Sequence, residues 1–275
     1  MPAKKSWRAN DPEAVDEARI ERNNSCDAKE TNGKAAGTTM KKLPCVWEHN
    51  GNDTMLLSEN LVGAFTRGVS KQEALSKMRQ EAACYLRWQS MSVPDSFDIE
   101  IVQEKESDLD ICDADSSVLF DAEKRPLSPD AYQKLKALAL KSAQDFHALY
   151  GAVPDKGKSC LPVRRTFYGQ VPRTAQEMYE HTKNVNEYYF GEIGVEADNV
   201  GTIMECRERG FSRLEQQSDY LNNPVISGSY GEEWSLRKVI RRFVWHDRIH
   251  AKAMYRMVIK TFGADAVPNI FLFDT

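Results

Sequence analysis

The chain has 275 residues, of which 41% are hydrophobic and 28% charged, with a net charge of −4. This composition fits a globular protein with a substantial core. It excludes a bilayer-spanning run of apolar residues and a general polyanion binder, for which a strong positive field would be needed.

The start of the chain lacks the apolar centre of a signal peptide. The six cysteines (Cys26, Cys45, Cys84, Cys112, Cys160 and Cys206) include no C-x-x-C pair. Together these features read as a cytoplasmic protein with reduced thiols. Residues 1–41 are polar and poor in aliphatic side chains, and they read as a disordered tail. From residue 42 the texture changes. Cys45 to Glu48 reads as a strand, Asn50-Gly51-Asn52-Asp53 as its turn, and Met55 to Leu57 and Ala64 to Thr66 as further strands. His49, at a strand end, is expected to be exposed. Ser70 with Glu73 predicts a helix start, and Ala74, Leu75, Met78, Ala82, Ala83 and Leu86 fall on one side of that helix. Cys84 within it reads as core. Ser96 to Gln103 alternates apolar and polar residues, as a half-buried strand does. Residues 42–104 therefore read as a small α+β module.

Residues 105–127 are acidic and irregular. The calcium-loop spacing and its glycine are absent, so the stretch reads as a solvated linker closed by Pro126. Ser128 and Pro129 open the next region, residues 128–263, which predicts four helices. The first spans about 129–150, with Leu135, Ala139, Ala143, Phe146 and Tyr150 on one face. The second spans 174–190, with Thr174 and Glu177 as a capping box. The third, near 200–221, is expected to be interrupted by Gly210. The fourth, 233–262, is the longest, and residues 264–275 form a C-terminal tail. Arg237, Lys238, Arg241 and Arg242 read as a solvated face. Cys160, in a basic loop, reads as an exposed unreactive thiol, and His147 as a satisfied core or boundary residue. Four amphipathic helices favour a bundle, and the long loops after the first and third are where a substrate pocket could form.

The histidines carry the chemical signal. His246 and His250 lie four apart on the stripe of Leu236, Val239, Ile240, Phe243, Ala253, Met254 and Met257, so both point inward on one face. Such a pair suits either a shared metal ion or a hydrogen-bonded core contact. His181 shares a face with Met178, Val185 and Tyr188 and also reads as inward. Three inward histidines make a three-nitrogen site with an open coordination position, closer to catalytic than to structural zinc centres. Nitrogen-only ligation suits zinc, nickel, iron or cobalt. Asp247 and Glu180, next to ligands in sequence, read as surface charges, and Tyr188 and Tyr189 as core aromatics.

The segments TAQEMYEH, ending in His181, and WHDRIH, holding His246 and His250, resemble the DinB-like superfamily over residues 128–263. That resemblance implies an antiparallel four-helix bundle whose divalent metal is held by one histidine of the second helix and two of the last. The module at 42–104, with Ser70-Lys71-Gln72-Glu73-Ala74 opening its helix, is similar to the HicB-like fold. It has no helix-turn-helix beside it, so it reads as a bystander or an oligomerisation element, which leaves a homodimer open. The expected fold class is thus α+β, a HicB-like module followed by a DinB-like bundle. The DinB-like resemblance implies a metal-dependent thiol transferase, with a low-molecular-weight thiol (bacillithiol, mycothiol or glutathione) and a small electrophile as substrates. A metal-dependent hydrolase and a non-catalytic interaction protein with a structural metal are the alternatives.

Overall fold

A two-residue loop, Gly51-Asn52, reverses the chain between β1 (Met40–Asn50) and β2 (Asp53–Ser58), with Gly51 at φ +59°. Glycine takes that left-handed conformation without steric cost. The computed structural model describes residues 40–113, 115–166 and 169–274. The tail expected over 1–41 lies outside the described residues up to residue 39, and residues 40 and 41 open β1.

The first part of the chain continues with β3 (Phe65–Gly68), α1 (Lys71–Trp88) and β4 (Ser96–Glu106). The four strands form one mixed sheet in the order β3-β2-β1-β4, with β1 antiparallel to β2 and parallel to β4. Both faces of this sheet are covered. Leu43, Cys45 and Leu56 join the core that includes α1, whereas Val46, Met55, Leu57 and Phe65 meet Ile111, Val118, Phe120 and Trp245. Burial on both sides explains the unbroken apolar run Met55-Leu56-Leu57, which a one-sided sheet would interrupt with polar residues.

The cover on the second face comes from the stretch expected to be a solvated linker, and that expectation is corrected. Ile111, Ser116, Val118 and Phe120 are buried. Buried Glu48 of β1 accepts from the Ser116 hydroxyl and, at 2.9 Å, from the Ser117 backbone N–H.

The remaining elements are α2 (Pro129–Ala152), α3 (Ala175–Gly191), α4 (Ile203–Leu214) and α5 (Leu236–Phe262), with two-residue ribbons β5 (Arg165–Thr166) with β6 (Gly169–Gln170), and β7 (Ile226–Ser227) with β8 (Glu233–Trp234). The architecture is mixed α+β, with five α-helices and one small mixed sheet among the described residues. Both α4 and α5 pack on α2 and α3. The third helix is shorter than expected and is not interrupted by Gly210. There a Cβ would stand 2.1 Å from Cε2 of Phe190, so glycine serves the close approach of α4 to α3. The C-terminal segment packs Phe271 against Trp88 of α1, with ring centroids 5.1 Å apart.

The α5 cations read as a solvated face are corrected as well. Lys238 and Arg241 are buried. Lys238 Nζ donates to the carbonyls of Ser117 (2.9 Å) and Glu233 (2.6 Å) and pairs with Glu232 at 2.8 Å. Arg241 grips both carboxylate oxygens of Glu123, at 2.5 and 3.1 Å, and the Val118 carbonyl at 2.8 Å. Arg242 donates to the Ser116 carbonyl at 2.9 Å, and half-buried Arg237 to the carbonyls of Arg125 and Pro126. Farther along, buried Arg248 pairs with Glu81 of α1 at 2.5 Å. These contacts tie α5 to the sheet module and to the stretch between them. Among the described residues no helix is long and apolar enough to cross a membrane.

Candidate metal centre

Local sequence places the first histidine. Thr174 caps α3 by accepting from the Glu177 N–H at 3.1 Å, while Glu177 accepts from the Thr174 N–H at 3.1 Å, and His181 follows two turns later. The buried stripe of α3 is Ala175, Met178, Tyr179, Thr182, Asn186, Tyr189 and Phe190. His181 lies beside that stripe and is exposed to a cavity, not packed in the interior as its spacing predicts. Tyr188 and Tyr189 both line the cavity; Tyr188 is exposed, which corrects the expected core position, and Tyr189 is buried as expected.

From α5, His246 is buried and His250 half-buried. The structure brings all three histidines together. Nε2 of His246 stands 3.2 Å from Nε2 of His181, and one ring nitrogen from each histidine falls within 4.8 Å of the others. Ring centroids are 5.1 Å apart for His181 and His246, 4.7 Å for His181 and His250, and 4.6 Å for His246 and His250. Two nitrogens bound tetrahedrally at the usual zinc distance stand about 3.3 Å apart, so this group could hold a metal ion. No carboxylate or thiol belongs to it among the described residues.

Electrostatics favour the ligating form. Burial, then the neighbouring His250 and His181, hold the His246 pKa well below its ordinary value. Burial, with help from His181 and Arg67, brings His250 down to about 3, and burial also lowers His181. Neutral imidazoles are the species that bind metal. His246 Nδ1 is buried without a partner, so the ring is committed through Nε2.

The cluster opens on a cavity of about 1280 Å³. Its walls include Arg67 of β3, Ser116 of the intervening stretch, Tyr188 of α3, and Arg242, Trp245 and Ile249 of α5. Asp247, expected at the surface, is fully buried and bound to Arg207, because the next residue on a helix points about 100° away from His246. Glu180 pairs with Lys183 at 2.9 Å and remains partly exposed. His147 meets the Tyr179 hydroxyl at 2.8 Å. His49 is held by Glu104 at 3.2 Å with its side chain only 12% exposed, so the expected exposure is corrected. Cys160 is exposed, and the five described cysteines are free thiols.

Two cavity residues escaped the reading of the sequence. Arg242 precedes His246 by four positions, a spacing that places it on the same face and could have revealed it. Arg67, on a separate strand, carries no local signal. Comparison of the chain with protein-family models, curated proteins and solved structures gives no match.

Proposed function

We propose that His181, His246 and His250 hold one divalent cation in a metal-dependent thiol transferase of the DinB-like kind, with a HicB-like module ahead of the bundle and a cytoplasmic location. The observation that carries this reading is three neutral imidazoles converging at a cavity large enough for a substrate. An ion bound there supplies Lewis-acid chemistry, lowering the pKa of a thiol or water that reaches it.

The chain's own residues do the rest. The low proton affinity of the imidazoles keeps them available as ligands at neutral pH. Trp245 and Ile249 give the cavity an apolar wall beside the histidines, and the Arg207–Asp247 pair sets the roll of α5 that aims His246. Thiol transfer is favoured over hydrolysis because hydrolysis needs a general base beside the bound water, and no carboxylate belongs to the histidine group, although several line the wider cavity. The carboxylate closest in sequence, Asp247, is tied to Arg207 and takes no part in the cluster. A purely structural ion would call for a fourth protein ligand, whereas three histidines beside a cavity leave a position for substrate.

Elemental analysis of untagged protein should find about one divalent ion per chain, largely lost in the His181→Ala, His246→Ala double variant. Full metal content in that variant would overturn the ligand assignment. In cobalt-substituted protein, one of bacillithiol, mycothiol or glutathione should produce a sulfur-to-metal charge-transfer band. Silence from all three would remove the thiol-transfer reading and leave the metal site standing.

A further inference from the structure

The inner cations of α5 are not treated alike. Lys238 meets Glu232, Arg241 meets Glu123 and Arg248 meets Glu81, each with a carboxylate within 2.8 Å. Half-buried Arg242 has no carboxylate within 4.0 Å among the described residues; burial opposes its charge, while Tyr189, Glu232 and Glu48 favour it from farther away. Its Nη1 donates to the Ser116 carbonyl at 2.9 Å, and the Tyr189 side chain is a further hydrogen-bond partner. Its guanidinium sits 4.7 Å from the Trp245 ring centroid, 5.4 Å from Tyr189 and 5.7 Å from Trp234. Two buried donors here lack an acceptor, Arg242 Nε and Trp245 Nε1. Desolvated N–H groups without partners are costly, and an anionic oxygen is the acceptor that offsets most of that cost.

A second cation comes from the sheet module. Arg67 of β3 lines the same cavity, donates to the Cys112 carbonyl at 2.6 Å, and has no carboxylate within 4.0 Å among the described residues, with Asp53 and Asp113 acting on it from farther away. Both arginines line the cavity onto which His181, His246 and His250 open. Six carboxylates also line the cavity: Glu232 is engaged by Lys238 and Asp113 by Arg164 at 2.6 Å, Asp108 and Asp115 have partners of their own, and Glu106 and Glu233 are exposed. The spacing also matters. Arg242 and His246 are one helical turn apart, a rise of about 6 Å. A ligand spanning that distance is a small molecule.

We propose that the cavity binds a carboxylate-bearing small molecule, held by Arg242 of α5 and Arg67 of β3 with its reactive atom at the histidines. Only the position of the reactive atom rests on the metal-site reading. The guanidinium fork matches a carboxylate in two parallel N–H···O bonds, which a lysine at either position would not supply. The inference also gives the sheet module a role in recognition, because it contributes one of the two cations.

Calorimetric titration with succinate and with its uncharged diamide, in metal-loaded and metal-free protein, tests the anion site without reference to turnover. Succinate should bind at least tenfold more tightly than succinamide, in both forms of the protein. Arg67→Gln and Arg242→Gln should each remove most of that preference while the protein keeps its metal content. Arg242→Lys, which retains the charge and a bulk close to the original, should lie between. Equal binding of acid and diamide would overturn the inference, as would a preference unchanged in Arg67→Gln, whose partly exposed position leaves folding intact. Inorganic phosphate competing more strongly than succinate would overturn the assignment to carboxylates. Mercaptosuccinate and 2-mercaptoethanol, added to the cobalt-substituted protein, then locate the reactive end. A succinate preference in a protein that binds no metal would sink the metal reading and leave this one standing.

Discussion

Arg207 of α4 and Asp247 of α5 face each other fully buried, with Nη1 and Nη2 each 3.1 Å from a different carboxylate oxygen. The guanidinium also stacks on Phe243, 3.9 Å from its ring centroid. Asp247 follows His246 directly, so this pair holds α5 at the rotation that presents His246 and His250 to His181.

Breaking the pair from one side leaves an uncompensated buried charge. Asp247→Ala should cost about 3–5 kcal/mol in denaturant unfolding. The double variant Arg207→Met, Asp247→Leu should recover most of the loss, because well-packed apolar residues often replace a buried pair without penalty. A single variant as stable as the parent would show that the pair holds nothing in place.

Metal should stabilise the fold, since it binds the assembled histidines and not the unfolded chain. At a free metal concentration about 100 times Kd the gain is about 2.7 kcal/mol. Thermal unfolding with and without a chelator should show the shift, and His250→Ala should abolish it. An equal shift in that variant would place the stabilising ion elsewhere.

The histidines also set an acid limit on the metal-free protein. Their folded pKa values lie below the ordinary 6.5, with His250 at about 3 and His246 displaced in the same direction by burial and its neighbours. The unfolded chain therefore binds more protons below pH 6.5, and stability present above that pH is lost as pH falls toward the folded values. Each of these two histidines contributes a slope of up to about 1.4 kcal/mol per pH unit in that window. Unfolding free energies between pH 5 and 7 should show it, and His246→Gln should reduce the slope by one histidine's share. An unchanged slope would mean that His246 is not held neutral.

Gly210→Ala should destabilise the protein although alanine is the better helix former by about 1 kcal/mol. The new methyl would meet the ring of Phe190, which is enclosed by Phe211 and Phe243. Overpacking of that kind costs about 1–3 kcal/mol. A variant at least as stable as the parent would show that α3 and α4 can move apart freely.

Helix starts were legible because capping is local. Ser70, Ser128 and Thr174 each accept from the N–H three residues on, at 3.2, 3.2 and 3.1 Å, as their spacing predicts. The histidine group was legible for a related reason: an i,i+4 pair shares a helix face wherever the helix packs, and one histidine on a neighbouring helix completes a three-nitrogen set. His181 shows the limit of that logic. Periodicity placed it on the face with Val185 and Tyr188, but whether that face meets packed side chains or a cavity depends on the neighbouring elements.

The chain's own pattern of apolar and capping residues determined the strands of the sheet module, the helix starts and which histidines share a face, since these depend on neighbours within a few positions. Tertiary structure alone decided the fate of the charges. Lys238, Arg241 and Asp247 have the same periodic spacing whether their partner is water or a group far away in sequence. Here the partners are Ser117, Glu123 and Arg207, separated from them by 121, 118 and 40 positions. A charged side chain can be buried when such a partner compensates its desolvation, and no local pattern encodes whether one will be present.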